Sequence, residues 1–518
     1  MNAESMPRGG CRDIAGVFAA RNRYIDIRMS ESRVPIFRKP FEPSYLTFRW
    51  ALLLRGYRGS VGASENQALK APLTPVSGPV DRPWRLGIWL SAGAMLLCLF
   101  GKSDPIDNEF WHSWILEFQT AGYQGLSANY PPLLLHWLRL VAWTFSAIGI
   151  TPQNSMLIKV VVTFPTLLCQ LAFVDLVGRR LAQLGEAPQQ SGLFWLAVFN
   201  PALLANGPIW GQVDLLPILP AYFAVTSATE RARAVWALPW LVVALLTKMQ
   251  SIVVVPVIAG LALRHFRQQV LGALIAIAII ALGFLPFALA GADVFDALGR
   301  AYWGNLSLYP FSTIDAANLW YLVVGKSMQP HDLSVLSSDC FPGWLVDLAT
   351  PRKLGLLSYS ILSLALMISA FRNTSRQYVL GLTVVSATGF FAFSSGMHER
   401  YLFFAAAFAA LWGCEAPHRR HWYPLLTALL YVNMNFALNF FGHRFLRLVS
   451  AVVVLTFFGL GCQAMFQSNR LDRGYFCLCA CAERHPWAPY LAFTALWLIL
   501  AASLVVSQLH NSGNTLSS

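Results

Sequence analysis

The sequence predicts an all-α, polytopic membrane protein. Of its 518 residues, 56% are hydrophobic and only 12% are charged, whereas a soluble domain carries about 25% charged residues. Gly and Pro punctuate the apolar runs, which transmembrane helices tolerate. The net charge is +13, but Lys and Arg lie mainly in short loops. The charge therefore indicates membrane topology and not binding to nucleic acid.

Three regions differ in composition. Residues 1–82 are rich in Arg, Ser, Pro and Gly and contain no run long enough to span a membrane, so we expect a disordered cytoplasmic extension. Residues 83–440 contain long apolar runs broken by short polar motifs and form the predicted central transmembrane domain. Residues 441–518 are predicted to add C-terminal transmembrane helices.

Thirteen apolar stretches qualify as candidate spans, since about 20 apolar residues cross a bilayer. They are residues 84–100, 155–178, 191–207, 209–228, 235–247, 250–263, 268–291, 354–371, 377–395, 401–415, 421–440, 446–468 and 488–508. A further apolar segment, 131–150, is ambiguous. The first loop is expected to carry amphipathic helices, and the long loop 292–353 is expected to cover a cavity.

The basic loops decide how segment 131–150 is interpreted. With the N-terminus inside and 131–150 crossing fully, Arg179-Arg180 and four later basic loops fall outside. If 131–150 lies along or re-enters the outer face, each of these loops falls inside. We prefer the second arrangement, because cytoplasmic loops carry an excess of Lys and Arg. It places the polar islands on one non-cytoplasmic face: the loop 101–154, the turns at 210–214, 248–250 and 397–400, and the loop 292–353.

The most informative island is Trp210-Gly211-Gln212-Val213-Asp214. A carboxylate is costly to bury when the sequence on both sides of it is apolar enough to span a membrane. It should therefore lie at a helix end that faces a water-filled cavity. Trp210, Gln212 and Asp214 are therefore candidate binding residues. The alternative is a turn between two transmembrane helices in which Asp214 only caps the second helix.

The first loop contains three carboxylates, Asp104, Asp107 and Glu109, ahead of a segment whose aromatic residues repeat at helical spacing. One of them could serve as the general base for an acceptor hydroxyl. The alternative is an interfacial helix with an aromatic belt and solvated acids. Later in the loop, Asn129 and Tyr130 precede two prolines that set a rigid entry into a helix.

Two further islands contain cationic side chains. Lys248 and Gln250 separate short apolar runs, and a lysine at membrane depth usually snorkels to water. The preferred topology places Lys248 on the outer face, which favours contact with a phosphate. His398, Glu399 and Arg400 occupy another turn. The simpler interpretation is a local ion pair between Glu399 and Arg400. The more specific interpretation is an anion site, since a guanidinium binds phosphate bidentately and His398 can add a hydrogen bond.

In chain order, these islands resemble the GT-C superfamily of polytopic glycosyltransferases. The shared features are the acidic first loop, N-Y-P-P-L at 129–133, W-G-Q-V-D at 210–214, K-M-Q at 248–250 and H-E-R-Y-L at 398–402. The chain is most similar to bacterial mannosyltransferases related to the second mannosyltransferase of GPI-anchor assembly, and more distantly to the ER dolichyl-phosphate-glucose glucosyltransferases. The resemblance spans roughly residues 84–440.

The resemblance implies a hexosyltransferase of the bacterial inner membrane. Mannose or glucose would pass, with inversion, from a polyprenyl- or dolichyl-phosphate donor to a glycan, lipid or protein hydroxyl on the non-cytoplasmic face. The superfamily base is an acid of the first loop, which points to Asp107, with Asp104 and Glu109 as rivals. The chain departs from the glucosyltransferases at Asn129, where they have Asp, and from the bacterial K-P-Q motif at Met249.

The resemblance also suggests roles for the other islands. His398, Arg400 and Lys248 would stabilise the leaving phosphate, while Trp210 would stack on the sugar or lipid head. Gln212 and Asp214 would bind hydroxyls. We expect no cofactor: the chemistry requires no metal, although the carboxylates could bind a divalent cation. Two other classes stay open, a secondary transporter and a lipid-linked polysaccharide polymerase or ligase.

Overall fold

The computed structural model describes residues 84–101, 105–151, 155–304, 309–336, 340–437 and 443–466. The predicted extension 1–82, the predicted span 488–508 and Asp104 lie outside these ranges. The structure is mostly helical (76%). Its α-helices are α1 Arg85–Leu99, α2 Pro105–Thr120, α3 Pro132–Ala147, α4 Ser155–Gln183, α5 Gly192–Val198, α6 Pro201–Leu204, α7 Ile218–Thr229, α8 Ala237–Thr247, α9 Val255–Arg264, α10 Phe266–Leu289, α11 Val294–Leu298, α12 Leu319–Val324, α13 Gly343–Leu348, α14 Pro351–Arg372, α15 Arg376–Phe393, α16 Phe403–Glu415, α17 Trp422–Ala437 and α18 His443–Phe466.

Within the described ranges, four helical segments are long and apolar enough to cross a membrane. They are Met156–Gln183, Gly192–Ile209, Phe266–Leu289 and Pro351–Arg372. These helices indicate a membrane protein. Several of the other predicted spans correspond to shorter apolar helices of 10–17 residues, because polar and proline-containing turns divide the apolar sequence more finely than hydropathy alone indicates.

The predicted spans 191–207 and 209–228 show how such turns arise. Helix α5 ends at Val198. Asn200 then caps α6, its side chain accepting hydrogen bonds from the backbone N–H of Ala202 and Leu203. A π-helical turn over Ala205–Ile209 follows and contains Pro208. Proline removes a backbone donor and disfavours helix in the preceding residue, so the helix ends here. The sequence 210–217 is consequently a buried, non-helical connection to α7.

The ambiguous segment 131–150 forms α3, a helix of 16 residues. At about 1.5 Å per residue it is about 24 Å long, shorter than the hydrocarbon core of about 30 Å. It packs against α2 in one hydrophobic cluster, and Arg139 donates to the carbonyl of Phe118. The segment 131–150 is thus a short helix that packs on the first-loop helix α2.

Two short strands modify the all-α prediction. β1 (Thr313–Ile314), from the long loop 292–353, pairs in parallel with β2 (Met397–His398). Asp315 forms a further bridge with His398. Part of the predicted covering loop is thus hydrogen-bonded to the turn that carries Glu399 and Arg400, and its position depends on that turn.

The two ends of α4 lie in different polar environments. Near its start, the ammonium of Lys159 donates to the carbonyl of Gly101. Near its end, Arg180 pairs with Glu415 at 2.5 Å, and Arg376 pairs with the same carboxylate oxygen at 3.1 Å. Lys159 and Arg180 are 21 residues apart in α4, or about 32 Å at about 1.5 Å per residue. The two environments are therefore separated by about the thickness of a bilayer core.

Candidate functional site

Asp107 lies in the first turn of α2, where the helix dipole stabilises a carboxylate. Its Oδ2 accepts a hydrogen bond of 2.8 Å from the indole Nε1 of Trp210 and one of 2.6 Å from Nε2 of Gln212. The side chain is 21% exposed. Two neutral donors thus hold one oxygen of a carboxylate that is still reachable from outside the protein.

The backbone around Gly211 brings both donors to the same oxygen. Gly211 has a φ of +93°, a conformation that L-residues with a Cβ rarely adopt. The flanking N–H groups are tied to the π-turn: Trp210 donates to Ala205 at 2.9 Å and Gln212 to Asn206 at 3.0 Å. The reversed chain at Gly211 therefore lets residues on either side of it face α2.

Asp214 forms a buried ion pair with Lys248. The Lys248 ammonium bonds Oδ1 of Asp214, and Nδ2 of Asn206 donates to Oδ2 at 2.9 Å. Lys248 is 3% exposed and Asp214 4%. Burial opposes ionisation of Asp214, but Lys248 and Arg400 outweigh it and lower the pKa of the carboxyl. Two interpretations are wrong: Asp214 does not cap α7, whose N-cap is Pro217, and Lys248 does not snorkel.

Arg400 lies between three carboxylates. Its Nη1 donates to Glu399 at 2.7 Å and lies 3.9 Å from Oδ2 of Asp107, while its Nε lies 3.8 Å from Oδ2 of Asp214. The guanidinium is also 5.7 Å from the ring centre of Trp210. The local Glu399–Arg400 ion pair is therefore present, but it is one part of a larger network that joins all three acidic groups.

Aromatic rings line the cationic side of this network. The His398 ring packs against Tyr309 and Tyr401, with ring centres 4.7 Å and 5.1 Å away. Tyr130 lies under the Lys248 ammonium, 5.5 Å from ring centre to nitrogen, and packs on Trp111 at 5.3 Å. Such faces favour cations and planar apolar groups.

The remaining predicted site residues are less involved. Glu109, in α2, is exposed. Asn129 is half-buried beside Tyr130. Gln250 is buried in the 3₁₀ turn Met249–Val254, and its Oε1 has no hydrogen-bond partner among the described residues.

Sequence reasoning missed three polar residues that support the site. Asn206 binds Asp214. Lys159 contacts the backbone at Gly101 and Ile209. Asn433 donates to the Glu399 carbonyl and accepts from the N–H of Ala317 at 2.8 Å. Each is a polar residue within an apolar run, which is the signal that could have found it.

The carboxylates of this network lie beside basic side chains. Asp107, Asp214 and Glu399 each lie next to Arg400, and Asp214 also bonds Lys248. Across the described ranges, no group of three or more His, Cys, Asp or Glu side chains is placed to hold a metal ion. The arrangement suits chemistry in which fixed charges and a positioned carboxylate act together.

The fold and the site define the class only as a helical membrane protein with a buried network of charged side chains. No protein-family model matches the chain, and no curated protein has a matching sequence.

Proposed function

We propose that this protein is a GT-C-type hexosyltransferase with a lipid-phosphate-linked sugar donor. The observation that carries the proposal is the position of Asp107: it is a hydrogen-bonded carboxylate that stays partly exposed beside a buried cationic network. Its side chain is 21% exposed, against 6% for Asp214 and 5% for Glu399. Among these three, Asp107 is the one that an acceptor hydroxyl can reach.

Asp107 acts as the general base. It removes the proton of the acceptor hydroxyl, and the oxygen attacks the anomeric carbon from the face opposite the phosphate. The bond between the anomeric carbon and the phosphate oxygen breaks, so the configuration inverts and the lipid phosphate leaves. Trp210 and Gln212 orient the carboxylate, since both donate to the same oxygen.

Arg400 and His398 stabilise the leaving phosphate. Arg400 is adjacent to Asp107, so its charge lies close to the bonds that change. Lys248 was expected to contact the phosphate directly. Its bond to Asp214 supports a different role, in which it keeps Asp214 ionised and the network charged. The phosphate then displaces part of the pairing between Arg400 and the carboxylates.

We further propose that the site faces away from the cytoplasm and that the chain contains about 13 spans in a bacterial inner membrane. The convergence of Arg180 and Arg376 on Glu415 supports this orientation, since basic loops mark the cytoplasmic side. The lipid tail would lie between helices that the polar turns keep short.

The test uses the purified protein in nanodiscs with radiolabelled polyprenyl-phosphate mannose and glucose. We compare the wild type with Asp107→Asn, following hydrolysis and transfer. Turnover should fall by about 10² or more in Asp107→Asn, as for the loss of a general base. Glu109→Gln is the comparison, because Glu109 is the rival acid on the same helix and is exposed; it should keep wild-type turnover if Asp107 is the base.

The other classes predict different results. A transporter would bind or move a donor without breaking it, with or without Asp107. A polymerase or ligase would release the donor lipid only when a glycan acceptor is present. Equal turnover by wild type and Asp107→Asn would remove the assignment of Asp107 as the base.

A further inference from the structure

Lys159 is a buried lysine in the middle of apolar sequence. It is 2% exposed and lies in α4, one of the helices long enough to cross a membrane. Its ammonium donates to two backbone carbonyls, of Gly101 at 2.5 Å and of Ile209 at 3.2 Å. A lysine at such a site is expensive to bury, so its position calls for a specific role.

Both acceptors lie at the C-terminal ends of helices. Gly101 follows α1, and Ile209 ends the π-turn Ala205–Ile209. Carbonyls at helix ends have no partner within the helix and carry partial negative charge. The Lys159 ammonium therefore compensates two negative helix ends at once and holds them together.

The two segments that Lys159 joins are those that lead into the proposed active site. Beyond Gly101, the chain continues to α2 and Asp107. Directly after Ile209 come Trp210 and Gln212, which donate to Asp107. The stem of Lys159 also packs under the turn, because a Cβ at Gly211 would lie 3.3 Å from Lys159 Cγ.

We propose that Lys159 is a positioning residue for this site: it fixes the turn that carries Trp210 and Gln212 against the end of α1, and the same two side chains hold Asp107. The inference rests on the proposed function, which it deepens. Lys159 does not touch the substrate, since it is buried beneath the turn. Its loss should disturb the alignment of the base more than the binding of the donor.

The first measurement is donor turnover by Lys159→Met, which keeps the length of the side chain but removes its charge and donors. We expect kcat to fall by about 10²-fold, the effect of a misplacement of roughly 1 Å, with little change in KM. Lys159→Arg, which keeps charge and donors, should restore part of the loss. Thr163→Val is the matched control one turn along α4, where the hydroxyl bonds only the Lys159 carbonyl.

The second measurement does not depend on activity. Asp107 and Glu109 are labelled with a carbodiimide and a soluble amine. Peptide mass spectrometry gives the labelling ratio, which is the labelled fraction of Asp107 divided by that of Glu109. The ratio should rise severalfold in Lys159→Met, when Trp210 and Gln212 no longer shield Asp107. It should stay at the wild-type value in Thr163→Val and return toward it in Lys159→Arg.

An unchanged labelling ratio in folded Lys159→Met would overturn the positioning role. If Lys159→Met does not fold, Lys159→Gln replaces it in the same measurement, with the same outcome decisive. If the wild-type protein turned over no lipid-phosphate sugar, the proposed function would be wrong. The labelling ratio would still decide whether Lys159 positions Asp107.

Discussion

The indole Nε1 of Trp210 donates a hydrogen bond of 2.8 Å to Oδ2 of Asp107, across 103 positions of sequence. It connects the start of α2 to the turn after Ala205–Ile209. Because the indole N–H can only donate, the carboxylate oxygen is the acceptor in this bond. The start of α2 and this turn are thereby joined through the carboxylate that acts as the base in the proposed mechanism.

Replacing Trp210 by Phe keeps an aromatic ring but removes this donor. A hydrogen bond to a charged group contributes about 1.5–3 kcal/mol, so turnover of a lipid-phosphate sugar should fall by roughly 10- to 10²-fold. Trp303→Phe is the control, because Trp303 is 67% exposed. Equal turnover by the two variants would mean that the indole does not orient the base.

Removing one member of the Lys248–Asp214 pair should destabilise the protein strongly. Both side chains are buried, and breaking such a pair leaves an uncompensated charge at a cost of about 3–5 kcal/mol. Lys248→Met and Asp214→Asn should each lower the free energy of unfolding by that order, measured by reversible unfolding in detergent. The double variant should lose less than the sum.

The exposed pair Arg233–Glu230, 3.2 Å apart, provides the comparison. Its side chains are 68% and 46% exposed, so Arg233→Met and Glu230→Gln should each change stability by less than about 1 kcal/mol. Additive effects at Lys248 and Asp214 would show that the two do not act as a pair.

The sequence was most informative where a polar group interrupts apolar sequence. Gln212, Asp214 and Arg400 were singled out for that reason, whereas Asp107 was one of three acids of the polar first loop; the structure brings all four residues together. The partners could not be predicted. That Trp210 and Gln212 share one oxygen depends on the positive φ of Gly211, and that Lys248 binds Asp214 depends on how separate helices pack.

The ends of helices within apolar runs were predicted less accurately than the polar residues of the site. Hydropathy treats 209–228 as one span, but helix formation is lost at a π-turn with Pro208 and resumes only at Ile218. Asn206 and Lys159 were overlooked because averaging over an apolar run conceals single polar residues. The short strands at Thr313 and Met397 form between distant segments, which no local pattern indicates.

Glu399 should make stability depend on acid pH. Burial raises its pKa, but the charge of Arg400, together with the His398 imidazole 3.7 Å away, outweighs burial and lowers the pKa to about 2. The unfolded value is about 4.3. Because the folded pKa is lower, this stabilisation is complete above about pH 5 and is lost as the pH falls toward 2.

Melting temperatures between pH 7 and pH 3 measure this effect. Glu399→Gln should melt at a lower temperature than wild type at pH 7, and the difference should shrink as the pH falls. Glu109→Gln, at an exposed acid, should follow the wild-type curve. A Glu399→Gln curve parallel to wild type over the whole range would contradict the lowered pKa.

The proposed orientation predicts which thiols an impermeant reagent reaches. Cys340 is exposed and free, and it lies in the loop assigned to the non-cytoplasmic face. Asn373 lies between α14 and α15, beside the basic residues Arg372 and Arg376. A membrane-impermeant maleimide should label Cys340 in intact cells but label Asn373→Cys only after permeabilisation, as read by peptide mass spectrometry. The reverse pattern would invert the topology.

Gly211→Ala should lower both stability and turnover. The residue has a φ of +93°, and an added Cβ would lie 3.3 Å from Cγ of Lys159, so the substitution combines backbone strain with crowding. Strain alone costs about 1–3 kcal/mol. Gly122→Ala isolates that part, because Gly122 has a φ of +64° with open space around its Cβ position. We expect Gly211→Ala to lose more unfolding free energy than Gly122→Ala and, unlike Gly122→Ala, to lose turnover, since it moves Trp210 and Gln212 away from Asp107. If both variants kept full turnover, the turn would not control the alignment of the carboxylate.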